Sequence, residues 1–292
     1  MLFKMKKNIV ALIVILLFSC ENNETVTIPE KFSFNYNLHS SLPQEWISEF
    51  NIIMENLDRH IPIKSNSYLT EMEVYAWKSS EENPFKSMIG NTGGACICGN
   101  DKERFMVLEI PELEFEYDLM HRFSVIPHEV FHVYQMGLSE NFFRGDGPKW
   151  IIEGGAASLE SLYIQQYYSY DYFSDAQSNI HEAVNLTPEI YESYNSNGDK
   201  DQNYASSVFM VLALVKELQK LGDTEEVAFR KIFKDFWERN PDNNNWKNIF
   251  REIFGLELFE FYAILKDGIS YKRNIIDVKP NYNLKLDNIF IK

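Results

Sequence analysis

Cysteine is nearly missing from this chain: Cys20, Cys96 and Cys98 are the only three among 292 residues. A disulfide framework is therefore excluded as the basis of the fold. Cys96 and Cys98 stand two residues apart, a ring that looks too tight for an easy disulfide, and no ligands at the right spacing complete a zinc knuckle. They are expected to be a free thiol pair in a Gly-rich turn. Basic residues are scarce too, with 28 Lys and Arg against 43 Asp and Glu and a formal net charge of −15. That balance argues against nucleic acid, and against an anionic membrane surface, as partners held by charge. Internal repeats are absent. Histidine is rare, at six residues, so any ordered histidine spacing carries weight.

Lys4, Lys6 and Lys7 precede an apolar run from Ile9 to Phe18, about ten residues and too short to span a bilayer comfortably. This pattern is that of an export signal. It ends in Leu17-Phe18-Ser19-Cys20, which resembles the lipobox of bacterial lipoproteins. The resemblance implies a signal peptide over residues 1–20, cleavage before Cys20, and a lipidated Cys20 as the membrane anchor. An uncleaved anchor or an ordinary secretory signal are the alternatives, and all three place the folded part outside the cytoplasm, in the periplasm or at the cell surface. Loss of the first 19 residues removes three lysines and no acid, taking the formal charge to −18. Residues 21–40 read as a polar tether.

What remains is enough for one large domain or two lobes sharing a cleft. Hydrophobic residues make up 45% and aromatic residues 15% of the chain, so a core rich in Phe and Tyr is expected. Apolar spacing predicts a helix over Pro43 to Arg59, with Ser41 as its cap. Strands are predicted at Met72 to Trp77 and Arg104 to Ile110, separated by a long loop over 78–103. A buried helix follows, either capped by Ser124 with Pro127 in its first turn or starting near Tyr117 and kinking at the proline, and Gly137 is a plausible C-cap. The next helix is predicted from about Pro148 to Tyr168. Beyond it come helical patterns over Asn203 to Leu221, Thr224 to Glu238, Asn244 to Phe254 and Glu257 to Lys266. A short extended tail is expected to close the chain, and residues 195–202 are the best internal boundary.

Two stretches carry chemistry. Pro127-His128-Glu129-Val130-Phe131-His132 spells H-E-x-x-H. On a helix His128 and His132 are one turn apart and face the same way, so both imidazoles can reach one Zn²⁺ with Glu129 beside it as general base. Twenty residues later comes Trp150-Ile151-Ile152-Glu153-Gly154-Gly155-Ala156, where Glu153 is the candidate third metal ligand. Gly154, Gly155, Ala156 and Ala157 cost helix propensity but permit close helix–helix approach, which a metal reached from two helices requires. Glu160, seven residues beyond Glu153, returns to nearly the same helix face.

Together these stretches resemble the gluzincin superfamily of zinc peptidases, with H-E-x-x-H on one helix and a glutamate ligand on the next within W-x-x-E-G-x-A-x-x-x-E. Trp150, Glu153, Gly154, Ala156 and Glu160 match the second pattern position by position. The resemblance implies an α+β zincin-like fold: a small mixed-sheet lobe with the zinc-binding helix pair over 41–195, then a mostly helical lobe over 196–292. It also implies that Glu160 orients a ligand histidine, that the strand from Arg104 to Ile110 is the edge that pairs with an extended substrate, and that Tyr204 donates to the oxyanion of the transition state. His181 is the rival donor, and His121 reads as a cap or surface group. The loop Gly93 to Asn100 lacks the amine-gripping glutamate of the aminopeptidase branch, which favours an endopeptidase. The expected activity is zinc-dependent hydrolysis of peptides or proteins. A non-catalytic, zinc-binding surface protein on the same fold is the alternative.

Overall fold

The structure, a computed structural model, describes residues 32–290 except 101 and 195–199, and gives no side-chain environment for 200–202. The export signal, Cys20 and most of the expected boundary at 195–202 lie outside the described residues. The architecture is α+β, a four-stranded mixed sheet followed by a mainly helical region. The sheet runs in the order β1-β2-β4-β3, formed by β1 (Ser33–Leu38), β2 (Glu71–Lys78), β3 (Ala95–Gly99) and β4 (Arg104–Ile110). β1, β2 and β4 are parallel, and β3 pairs antiparallel with β4. The central strands bury both faces. Val74, Ala76, Met106 and Leu108 enter the main core, while Tyr75, Trp77 and Val107 form a second cluster on the outer face. Their continuous apolar run follows from that double burial.

Three expectations about this region need correction. β1 falls within residues 21–40, read above as tether, so the folded part starts earlier. The loop over 78–103 contains β3, and β3 rather than β4 is the sheet edge. Cys96 and Cys98 are joined by a disulfide, with Cα atoms 5.5 Å apart. In an extended strand alternate side chains share a face, which brings these two within the usual bridging range. Their face is the outer one, where Cys96 packs on the second cluster.

Helix α1 (Gln44–His60) buries Trp46, Phe50, Ile53 and Leu57 at helical spacing. Each such side chain is worth about 1.5–3 kcal/mol of burial. Ser41 does not cap it: its Oγ accepts the Lys78 backbone N–H at 3.1 Å, and the helix starts behind Pro43, whose φ is already helical. The indole Nε1 of Trp46 donates to the Arg122 carbonyl at 3.0 Å, fixing α1 against α2 (His121–Leu138). Pro127 lies inside α2 rather than in its first turn, and Ser124 donates instead to the Tyr172 hydroxyl at 2.8 Å. Gly137 is not the cap either. A Cβ there would stand 3.2 Å from Ile63 Cγ2 and 3.3 Å from the Lys64 carbonyl, and the cap is Ser139.

Helix α3 (Lys149–Tyr168) packs between α2 and α4 (Lys200–Lys220). Gly154 decides how close α3 and α4 come: a Cβ on it would lie 2.5 Å from the Ser207 carbonyl oxygen. Gly155 faces the other way, toward Phe131 on α2, where a Cβ would meet Cε1 at 3.4 Å. The small residues thus serve two helix contacts, and the tightest is with α4.

Beyond α4 a short helix, Glu225–Arg230, runs into a wider turn over Lys231–Asp235. α5 (Trp246–Phe254) and α6 (Leu258–Lys266) follow, the latter opened by a reciprocal cap between Glu257 and Glu260. Among the described residues, the C-terminal segment is not an extended tail. Ile275–Val278 and Leu286–Phe290 are helical, and Ile275, Val278, Leu286 and Ile289 are buried. The last segment is pinned where His60 Nδ1 meets Asp287 Oδ1 at 2.8 Å. One buried cluster runs through the whole, from Val74 in the sheet through Phe131, Leu159 and Phe209 to Phe250 and Leu286.

Candidate metal centre

His128, Glu129 and His132 sit in the middle of α2, where almost every side chain is buried. Burial there is forced by the neighbouring Val125, Ile126, Val130, Phe131 and Val133, which leave the two histidines on the face turned to α3. Glu153, in the first turns of α3, closes the group. Nε2 of His128 lies 3.5 Å and Nε2 of His132 3.3 Å from Glu153 Oε2, and the potential ligand atoms of the three residues all fall within 4.8 Å of one another. Ligands at about 2.0–2.1 Å around a tetrahedral zinc stand roughly 3.3–3.4 Å apart. Among the described residues this is the group of His, Cys, Asp and Glu side chains that could hold a metal ion.

The far sides of both rings are already engaged. His128 Nδ1 lies 3.0 Å from Glu160 Oε2, and His132 Nδ1 lies 2.8 Å from Gln135 Oε1. Both partners are acceptors, so each ring donates from Nδ1 and turns Nε2, the atom left for a metal, toward Glu153. Gln177 supports Glu160 from behind, its Nε2 donating to Oε1 at 3.4 Å. Gln135 and Gln177 were missed in the sequence. Gln135 is one helical turn beyond His132 and readable in principle from that spacing, whereas Gln177 comes from a separate segment and has no local signal.

The electrostatics suit an ionised carboxylate among imidazoles. Burial works against the charged form of Glu153, but His132 and His128 outweigh it and hold its carboxyl well below the usual carboxylate range. Burial alone would lower His128; Glu160, Glu153 and Glu129 overturn that and hold it well above the ordinary histidine value. Glu129 is different. Burial raises it above the usual range, and its Oε2 has no hydrogen-bond partner. A buried carboxylate oxygen left unmatched beside two imidazoles and a second carboxylate is what a bound cation, or the water on it, would satisfy. The donor set of two imidazoles and one carboxylate is one that zinc accepts. The residues therefore fit a metal.

Two cavities flank the group, one of about 240 Å³ and one of about 530 Å³. His128, Glu129, Ala95 and Tyr204 line both. The ring of Tyr204, near the start of α4, stands edge-on to His128 at 5.7 Å between centroids. His181 is not brought here. It is exposed, its Nδ1 accepts the Ala183 N–H at 3.2 Å, and it lines neither cavity. His121, two turns before His128, pairs with Glu114 at 2.6 Å and lines the larger cavity. β3 supplies Ala95, Cys96 and Ile97 to the smaller cavity, so the sheet edge borders the site as expected, through a different strand.

These features define the class: an α+β chain with a His–His–Glu group that could bind a metal, in the H-E-x-x-H…E arrangement of zincins. The chain matches no described protein family, and no curated protein or solved structure is significantly similar to it.

Proposed function

We propose that this protein is a zinc-dependent metallopeptidase that hydrolyses peptide bonds, an endopeptidase rather than an aminopeptidase. One observation carries the reading: Glu129, with an unmatched carboxylate oxygen, lies beside the converging His128, His132 and Glu153 and opens to both cavities. A protein that only stored zinc would have no use for Glu129 in that place. Zinc held by the three ligands would supply Lewis-acid polarisation of a water and of the scissile carbonyl. Glu129 takes the proton of the attacking water and hands it to the leaving amine. Glu160 and Gln135 keep both imidazoles in the tautomer that presents Nε2. Tyr204 donates its phenol hydrogen to the oxygen that gains charge, a role supported by its ring lying beside His128 and by its lining both cavities. A substrate segment adds as a strand beside β3, whose outer edge borders the smaller cavity.

The protein acts outside the cytoplasm, anchored through lipid on Cys20; this part of the reading is supported by the Lys4–Lys7 charges, the apolar run and Leu17-Phe18-Ser19-Cys20. Cys20→Ser should then release it from membranes, and recovery of the variant in the membrane fraction would count against lipidation. The catalytic test is Glu129→Gln. With zinc content unchanged, cleavage of a mixed peptide library should fall by about 10²–10⁴-fold. Retained cleavage would remove Glu129 as the base, and zinc-loaded wild type that cleaves nothing would remove the peptidase reading.

A further inference from the structure

The two cavities beside the metal group differ in charge. The larger carries Glu160 and Asp175, with His121 at its margin. The smaller carries two cations, Arg104 and Lys149, beside Glu129 and Glu153 of the metal group, on walls that also include Phe142 and Ile152. In a chain with 43 acidic and 28 basic residues, two cations facing a cavity of about 240 Å³ run against the composition.

The metal group holds Lys149 only loosely. Lys149 Nζ stands 3.9 Å from Glu153 Oε1, but the other oxygen of that carboxylate faces both imidazoles. Once Glu153 is spent on a cation, its negative charge no longer offsets Lys149. Arg104 is positioned in advance. Its Nη2 donates to the Phe143 carbonyl at 2.9 Å, and its guanidinium lies over the Phe143 ring at 5.7 Å. A guanidinium already fixed in place loses little freedom when an anion arrives. Because β3 contributes Ala95, Cys96 and Ile97 to the same cavity, a segment paired with β3 places a side chain there, next to the bond at the metal.

We propose that the substrate class is peptides with an Asp or Glu side chain flanking the scissile bond, received by Lys149 and Arg104. This rests on the peptidase reading above. The pair acts by Coulomb attraction in a partly dehydrated pocket, where one matched charge shifts selectivity by about tenfold.

The test uses zinc-loaded full chain and peptides identical except for Glu, Gln or Lys at each position near the cleavage point. Wild type should cleave the best Glu peptide at least about tenfold faster than its Lys counterpart in kcat/KM. Lys149→Gln should shrink that ratio and Lys149→Glu should reverse it, with zinc content checked in each. The same peptides, labelled and titrated against Glu129→Gln protein by fluorescence anisotropy, give a readout independent of turnover and should show the same order. Cleavage indifferent to charge, or a preference unmoved in Lys149→Glu, overturns the inference and leaves the peptidase reading standing. Charge-selective binding without any cleavage overturns the peptidase reading and leaves the charged cavity standing. Neither cleavage nor selective binding overturns both.

Discussion

Helix α2 carries the same local chemistry twice. At its start His121 Nδ1 lies 2.6 Å from Glu114 Oε1; two turns on, His128 Nδ1 lies 3.0 Å from Glu160 Oε2. Each pair is a histidine steadied by a buried carboxylate, and each carboxylate comes from outside α2. Only the second belongs to the metal group. The difference lies on the other side of the ring. His128 has His132 one turn further along and Glu153 across from it on α3, whereas His121 is exposed and takes part in no such group among the described residues. A backing carboxylate orients an imidazole, but what makes that imidazole a ligand is the arrival of further donors at the free nitrogen. α3 delivers the missing donor, and α3 lies where it does because Gly154 lets α4 approach it.

Breaking the two pairs in parallel tests that contrast. His128→Ala should weaken zinc binding by more than about 100-fold, the upper range for mutations that only touch a ligand's support. His121→Ala should leave zinc binding unchanged, and competition against a chelator reads both. Replacing the carboxylates is gentler: Glu160→Gln should cost about 10–100-fold in zinc affinity, and Glu114→Gln nothing measurable. Equal losses in both variants would mean that the two pairs are not distinct.

The placement of α3 can be disturbed without touching a ligand. Gly154→Ala forces a methyl to within 2.5 Å of the Ser207 carbonyl and should destabilise by about 1–3 kcal/mol, visible as a fall of several degrees in Tm. Gly155→Ala meets Phe131 at 3.4 Å and gains helix propensity of up to about 1 kcal/mol, so it should be near neutral. The smallest effect is in titration. The half-exposed ring is partly desolvated by its neighbours, which lowers the His121 pKa, but the buried Glu114 carboxylate more than restores it, so the net direction is upward from the ordinary histidine value. The folded state then holds this proton more tightly than the unfolded chain. The pair's stabilisation is present below about pH 6.5 and fades as pH rises through the raised folded pKa. An NMR titration of the His121 ring should show that upward shift, and Glu114→Gln should reverse it.

Much of the site was readable before any fold was known, and the reasons are local. His128, Glu129 and His132 share a helix face because the repeat is 3.6 residues per turn, whatever surrounds them. Glu153 and Glu160 were legible through the pattern around Trp150 and the seven-residue return to one face. The misreadings share a cause as well. The glycines around Cys96 and Cys98 suggest a turn, but the strand that holds them turns both side chains to one face. Arg104–Ile110 looks like the edge in the sequence because β3 is only five residues long and falls in a Gly-rich stretch. β1 has no clear sequence signal, because none of its residues is fully buried and its aromatic residues alternate with asparagine. At the other end, Pro280 and short polar runs hid two helical turns that are held by packing rather than by propensity.

By itself the sequence determined the two imidazoles and the glutamate on α2, because that geometry needs only a helix. It also supplied the residue types of the third ligand and its supports. Tertiary structure alone decided that Glu153 Oε2 stands 3.3 and 3.5 Å from the two Nε2 atoms, and that Glu160 backs His128 rather than facing solvent. It alone set Arg104 and Lys149 on the smaller cavity, and Glu160 and Asp175 on the larger. Those placements depend on how closely α2, α3 and α4 pack, and that distance is fixed by contacts such as Gly154 on Ser207, which no local pattern encodes.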